Sequence, residues 1–304
     1  MRVLLTGSHG LIGSALAADL EGQGHLVVPL VRSSPGRSGT GVAWDPATGD
    51  VDHGALAAAG PFEGVVHLAG AGIGDRRWTP ARKRVLRDSR VGSTQTLVAA
   101  LRRLDPPPGV LVSGSAVGYY GDRGAEEVTE ESAPGSGFLA DLCRDWEAQA
   151  VAAEDLLRVV RVRTGVVLAA GGGILGRLLP VFRLGLGGRL GRGDQYLSWI
   201  SLRDVVGVLR RALEDPGLAG PVNATAPEPV TNAAFNSAVA RAVRRPAMLA
   251  VPAPVLELAL GREMAREFLL GGQRARPAVL AGRDHSWADP TLEGALAAVT
   301  APRT

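Results

Sequence analysis

The stretch "RVLLTGSHGLIGSALAADLEGQG", residues 2–24, decides the fold. Residues 2–6 are a short apolar run of strand length. "LIGSALAADLEG" follows with apolar residues at helical spacing and a glycine stop at Gly24. Between them "TGSHGLIG" sets Gly7, Gly10 and Gly13 in a G-x-x-G-x-x-G pattern at the strand-to-helix turn. Glycines there let the backbone turn sharply and approach a pyrophosphate, and the helix N-terminus supplies free N–H groups and a positive dipole end. A glycine motif alone is weak, but this one stands in the strand–turn–helix context that dinucleotide binding requires. Gly7, Ser8, Gly10, Leu11, Ile12 and Gly13 are the candidate contacts.

Outward from this unit the pattern repeats. "HLVVPLV" (25–31) and "EGVVHLAG" (63–70) read as strands. "TPARKRVLRDSRVGSTQTLVAALRRL" (79–104) reads as one long helix with Thr79 as N-cap and Pro80 at the first helical position. "VLVSGS" (110–115) is the next strand, residues 136–154 are helical, and "LLRVVRVRTGVVL" (156–168) is a long strand. Alternating strands and helices, with strands that are nearly continuous apolar runs, predict an α/β fold: a doubly wound parallel sheet covered on both faces. Past residue 171 the chain is glycine-rich, then proline-bearing with two or three further helices. The expected division is a dinucleotide-binding core at 1–170 and a mixed region at 171–304 that completes the core and forms a smaller C-terminal substrate lobe, with a small domain at about 247–297. No internal repeat is present.

Composition narrows the function. With 304 residues and 46% hydrophobic content the chain can bury a large core. Net charge is only +3, the basic residues alternate with acids, and aromatics are 4%; a nucleic-acid surface would show a basic stripe with interleaved aromatics, so nucleic acid is excluded as a partner. The one cysteine, Cys143, forms no internal disulfide, and His9, His25, His53, His67 and His285 show no metal-ligand spacing. No run of 18 apolar residues occurs and the first residues already read as strand and turn; no membrane partner and a cytoplasmic protein are the expectation.

Arg32 closes the second strand 19 residues after Gly13, where an NAD-specific protein carries an acidic residue for the ribose hydroxyls. An arginine followed by Ser33 suits the adenosine 2′-phosphate of NADP(H), because its planar fork matches phosphate geometry. A solvated loop arginine is the alternative.

The segments "TGSHGLIG", "HLAGAGI", "RDSRVGSTQTL", "VSGSAVGYYGDRG", "WEAQA", "RTGVVLAAGGG", "FRLGLGGRLGRGDQYLSWISLRD" and "LLGGQRARPAVLAGRDHSWADPTLEGAL" resemble the extended short-chain dehydrogenase/reductases. Within these they resemble the epimerase-family proteins that end in a small domain of unknown function. The resemblance covers nearly the whole chain and implies a Rossmann core with NADP(H). It implies further that Leu68, Ala69 and Gly70 pass under the adenosine and ribose. Arg90 matches a cofactor-facing asparagine, with an ordinary helix arginine as the alternative, and Thr164, Gly165 and Val166 meet the nicotinamide amide.

The wider family works with a serine, a tyrosine and a lysine four residues after the tyrosine, the lysine lowering the tyrosine pKa. Ser115 matches the serine; Ser113 is a second candidate and a cofactor contact. In "SGFLADLCRDWEAQA" (136–150) Phe138 falls at the tyrosine position and Leu142 at the lysine position, and the only lysine of the chain is Lys83. Tyr119 and Tyr120, in what reads as a loop, are the remaining proton-donor candidates beside Ser115. Two readings stay open: an NADPH-dependent oxidoreductase or epimerase with a non-standard proton donor, and a non-catalytic NADPH-binding sensor or regulatory protein, since the resemblance extends to proteins linked with cell division. On the substrate side Arg183, Arg189 and Arg192 border the expected cleft, Trp146 and Trp199 read as core or interface anchors, and Asp204 as a group that caps or orients the strand-to-helix junction. The small-molecule substrate is not specified by any motif. The resemblance implies a homodimer through the long helix and the helix at 136–154; packing within one chain explains the same apolar residues.

Overall fold

The computed structural model describes residues 1–32, 41–247 and 249–301. The chain divides into two compact units, one comprising Met1–Ser115, Leu142–Val162 and Val206–Pro221, the other Ala116–Asp141, Arg163–Val205 and Val222–Thr304.

An eight-stranded sheet organises the fold. Its strands are β1 (Arg2–Thr6), β2 (Leu26–Arg32), β3 (Val42–Asp45), β4 (Asp50–Val51), β5 (Gly64–His67), β6 (Val110–Ala116), β7 (Arg158–Thr164) and β8 (Gly220–Ala224), in the order β8-β7-β6-β5-β1-β2-β3-β4. β1 pairs in parallel with both β2 and β5, β2 with β3 and β5 with β6, whereas β4 runs antiparallel to β3. The order reverses at β1, which makes the ends of β1 and β5 a topological switch point, the place where open α/β sheets bind ligands. The strands β1 and β5 are buried almost throughout, as the continuous apolar runs required. Beneath them Leu4, Leu30, Trp44, Leu97, Leu101, Leu111 and Val159 form one apolar cluster.

Helices α1 (Leu11–Gly22), α2 (His53–Ala59), α3 (Pro80–Arg87), α4 (Ser93–Leu101) and α5 (Phe138–Val151) alternate with these strands. The expected single helix over 79–104 is α3 and α4 joined by a π-helical turn at Asp88–Gly92. The wider turn rotates Ser89 and Arg90 onto the segment that follows β5: Ser89 Oγ accepts from Ala71 N at 3.1 Å, and Arg90 Nη1 donates to Ala71 O at 2.9 Å. Single-turn π-bulges of this kind gather at functional sites. Residues 33–40 apart, β3, β4 and α2 occupy a stretch to which the sequence reading assigned no element.

The second unit contains four two-stranded ladders, among them Val166–Ala169 with Trp199–Ser201 and Glu127–Val128 with Arg274–Ala275. The run 156–168 is therefore two strands. At Gly165 the chain leaves its first partner: Gly165 N donates to Ala224 O, and the next amide, Val166 N, to Ser198 O. Apolarity alone did not mark that change of partner. Leu168, Leu175, Leu179, Phe182, Trp199, Phe235 and Leu292 make this unit's main core. Trp199 is a core anchor whose indole N–H is satisfied by Glu228 O at 3.0 Å. Asp204 accepts from Ser201 Oγ and from the amides of Ala288 and Asp289, at 2.9, 2.7 and 3.0 Å, which is the orienting role its position suggested.

Thr79 caps α3 as read, its Oγ1 accepting from Arg82 N at 3.1 Å. Thr79→Ala is expected to lower the unfolding free energy by about 0.5–2 kcal/mol, read as a lower urea midpoint at constant slope; an unchanged midpoint would mean that the cap contributes nothing.

Candidate functional site

The loop after β1 is shaped by what its glycines lack. Gly7 has φ +72°, and a Cβ on it would stand 2.7 Å from the Leu68 carbonyl carbon. A Cβ on Gly13 would stand 2.2 Å from Gly7 O, an impossible distance. Gly10 N donates to Gly7 O at 2.9 Å, which closes the loop on itself. α1 then starts at Leu11 with no side-chain cap and no acidic residue in its first turn. Its first amides therefore face outward without an intrahelical acceptor, the arrangement that binds an anion.

Behind the loop lies a closed polar chain. Thr6 Oγ1 accepts from Leu68 N at 3.1 Å and Ala69 N at 3.2 Å, so its own proton goes to His67 Nδ1, 2.7 Å away. His67 then carries its proton on Nε2 and donates to Ser93 Oγ at 3.2 Å, and Ser93 donates to Ser89 O at 2.8 Å. Every donor finds one acceptor when the imidazole is neutral. Burial holds the His67 pKa down to about 3. The chain fixes the segment Leu68–Gly70 at the end of β5, and Arg90 packs its guanidinium against Gly70. Burial also lowers the Arg90 pKa, with Cys143 opposing and Arg82 adding to the shift. Arg90 bonds only the carbonyls of Ala71 and Leu86 among the described residues and stacks over Trp146 at 5.4 Å. The Trp146 indole N–H is buried with no partner among the described residues, a donor left for a ligand or a water.

Ser113 is fully buried, with a 3.3 Å contact to Gly114 O. Ser115, at 5% exposure, donates to Glu147 Oε1 at 2.7 Å. Glu147 is itself only 4% exposed, and Arg161 Nη1 lies 3.6 Å from its Oε2. Sequence reasoning passed over Glu147. It follows Trp146 in "WEAQA", five residues beyond Leu142, and an acid on an apolar helix face was the available signal. Leu142 is buried at 2% in this helix. Phe138 opens the helix, its N–H and that of Leu139 donating to the Glu267 carboxylate at 3.1 and 3.0 Å. Arg32 ends β2 exposed, and Ser33 lies outside the described residues.

In the second unit the "GYYGDRG" segment is a 3-10 turn, Val117–Tyr120, followed by a loop. Tyr120 is fully buried; its hydroxyl donates to Asn223 Oδ1 at 2.7 Å and accepts from Arg163 Nη1 at 3.0 Å. Burial pushes its pKa up to about 12, against the opposing pull of Arg163 and Asn223, so this phenol keeps its proton at neutral pH. Tyr119 is half-buried, with the Arg163 guanidinium 3.5 Å above its ring; no described residue bonds its hydroxyl. Glu130 ties the same cluster to the C-terminal segment, accepting from Asn223 N at 2.9 Å and from Ala278 N at 3.1 Å. Gln273 Nε2 donates to Gly121 O at 2.8 Å. Thr164, Gly165 and Val166 are half-buried at the break between two strands. Among the described residues no His, Cys, Asp and Glu side chains gather in threes to hold a metal, and no helix is long and apolar enough to cross a membrane.

Residues 3–225 match the model of the NAD dependent epimerase/dehydratase family, and residues 251–299 match a domain of unknown function. The epimerase family protein Mb2239 of Mycobacterium bovis is 46% identical over 299 residues, 98% of this chain and 97% of that protein. The crystal structure of human epimerase family protein SDR39U1 with NADPH superposes with a TM-score of 0.90 at 34% identity, covering 99% of both chains. A Thermus thermophilus UDP-glucose 4-epimerase with NAD has a TM-score of 0.75 over 98% of each chain, but at 21% identity that likeness concerns the fold alone.

His67 gives the site a pH signature. The native state keeps it neutral down to about pH 3, whereas the unfolded chain protonates it near 6.5. Its stabilisation is thus complete above about pH 6.5 and is lost as the pH falls toward 3, at about 1.4 kcal/mol per unit. His67→Gln is expected to flatten the wild-type fall in unfolding free energy between about pH 6 and 4 by that slope; parallel curves for the two proteins would refute the neutral, buried assignment.

Proposed function

Because the chain belongs to the NAD dependent epimerase/dehydratase family, we propose that it binds NADP(H). We propose further that it acts as an oxidoreductase or epimerase on an unidentified carbonyl or nucleotide-sugar-like small molecule, without a Tyr-x-x-x-Lys pair. The observation that carries this reading is the β1 loop: a cradle that a Cβ at Gly13 would fill, opening on an uncapped helix N-terminus at the sheet's switch point. The residues present fit a dinucleotide. Gly7, Ser8, Gly10, Leu11, Ile12 and Gly13 hold its pyrophosphate. Arg32 meets the 2′-phosphate, and Leu68, Ala69 and Gly70 run under the adenosine. Arg90 reaches the phosphates or the nicotinamide ribose, Ser113 is a further cofactor contact, and Thr164, Gly165 and Val166 meet the nicotinamide amide. The NADPH in the human relative's crystal structure supports the same cofactor. When bound, the nicotinamide supplies a hydride donor or acceptor; the protein has to orient the substrate and move a proton.

For that proton the hydroxyls differ. Tyr120 is bonded on both sides inside its own cluster, so its role is to hold the turn that presents Tyr119. Ser115 points its proton at Glu147 and keeps its lone pairs open among the described residues. One observation favours the second reading, a non-catalytic NADPH sensor with a regulatory role: the Tyr120 and Ser115 hydroxyls both donate to protein groups. Absorbance at the nicotinamide band, with product analysis for redox-neutral epimerisation, separates the two over a panel of aldehydes, ketones and nucleotide sugars.

Cofactor choice has its own test. Arg32→Ala is expected to weaken NADPH about ten- to a hundredfold, the worth of a charge-assisted bond, while sparing NADH. Equal loss of both cofactors in fluorescence titration would remove Arg32 from the 2′-phosphate.

A further inference from the structure

With no Tyr-x-x-x-Lys pair the proton lacks a carrier, and the first unit contains a group placed to be one. Glu147 is a carboxylate at 4% exposure on α5. Burying a charge costs several kcal/mol unless partners compensate. Its partners include the Ser115 hydroxyl at 2.7 Å and the Arg161 guanidinium at 3.6 Å. Arg161 in turn lies 4.0 Å from Glu154, whose side chain is 45% exposed. The polar groups thus run from the C-terminal end of β6 to the surface in one line: Ser115, Glu147, Arg161, Glu154. The serine is the end of that line, and no described residue donates to its oxygen.

We infer that Glu147, acting through Ser115, is the proton acceptor that replaces the tyrosine and lysine absent from α5. The inference rests on the NADP(H) reading. In the oxidising direction a substrate alcohol donates its O–H to Ser115 Oγ. That proton passes to the serine as the serine's own proton passes to Glu147 Oε1. The carbon's C–H bond breaks with its electron pair leaving as hydride to the oxidised nicotinamide, and the C=O bond forms. The alcohol is oxidised, the cofactor is reduced, and one proton is left on Glu147 for release to solvent. The reducing direction is the reverse, with Glu147 reprotonating the carbonyl oxygen through Ser115. Ser115 is the catalytic residue in this scheme and Glu147 the positioning and proton-storing one. Arg161, 3.6 Å from the carboxylate, is placed to offset its charge.

The scheme makes the charge of Glu147 depend on the redox state of the cofactor, which is measurable with no substrate at all. Wild type, Glu147→Gln and Glu147→Asp are titrated with NADP+ and with NADPH, and calorimetry in two buffers of different ionisation enthalpy counts protons. The wild type is expected to take up a proton, in whole or in part, when NADPH replaces NADP+, and Glu147→Gln none. Removing the carboxylate charge is expected to weaken NADP+ about tenfold while NADPH stays within about twofold, and Glu147→Asp to restore NADP+ binding. A merely structural Glu147 would weaken both forms alike or neither, and that result overturns the inference. So does a wild type that binds both forms with no difference in protons, a measurement that needs no variant to fold. A wild type that binds neither form overturns the cofactor reading itself.

Discussion

The carbonyl oxygen of Gly7 lies where any side chain at residue 13 would have to begin. That single exclusion decides how α1 can approach β1. With no Cβ between them, the helix starts directly against the loop, Gly10 N reaches Gly7 O, and the first-turn amides are left pointing at the space above the switch point. A residue with a side chain would push the helix away and take the anion-binding dipole with it. The same loop rests on the Leu68 carbonyl through Gly7, so the end of β5 and the end of β1 are set in one step.

What keeps that arrangement in register is a neutral hydrogen-bonded chain in place of an ion pair. Thr6 donates to His67, His67 to Ser93 and Ser93 to the Ser89 carbonyl, all in one direction, and a charged imidazole would break the sequence at Thr6. The π-helical turn serves the same segment from the other side, because its extra residue brings Ser89 and Arg90 together on Ala71. Polar groups this deeply buried are stabilising only when all are satisfied, and their geometry is correspondingly unique.

The parts legible in the sequence were local. The β1–loop–α1 unit, the Thr79 cap with Pro80, and the apolar strands β5 and β6 follow from residues adjacent in the chain. The parts that escaped reading depend on distant partners. The Tyr120 hydroxyl meets Asn223, 103 residues away, and Arg163; nothing near Tyr120 in the sequence announces either. Ser115 meets Glu147 across 32 residues, which no motif spacing encodes. The break at Gly165 reflects a change of strand partner, and the π-turn inside 79–104 preserves the apolar periodicity that suggested one helix. Glu147 and Trp146 stand in "WEAQA", yet a buried carboxylate and an indole N–H without a partner among the described residues become visible only once burial is known.

The central claim is that the amides at the start of α1 receive the cofactor's pyrophosphate. Amide hydrogen exchange at Leu11, Ile12 and Gly13, followed with and without saturating NADPH, tests it most directly. The account predicts that these amides, free of intrahelical acceptors, exchange fast alone and become strongly protected in the complex. Protection that is unchanged there while NADPH is bound would contradict it.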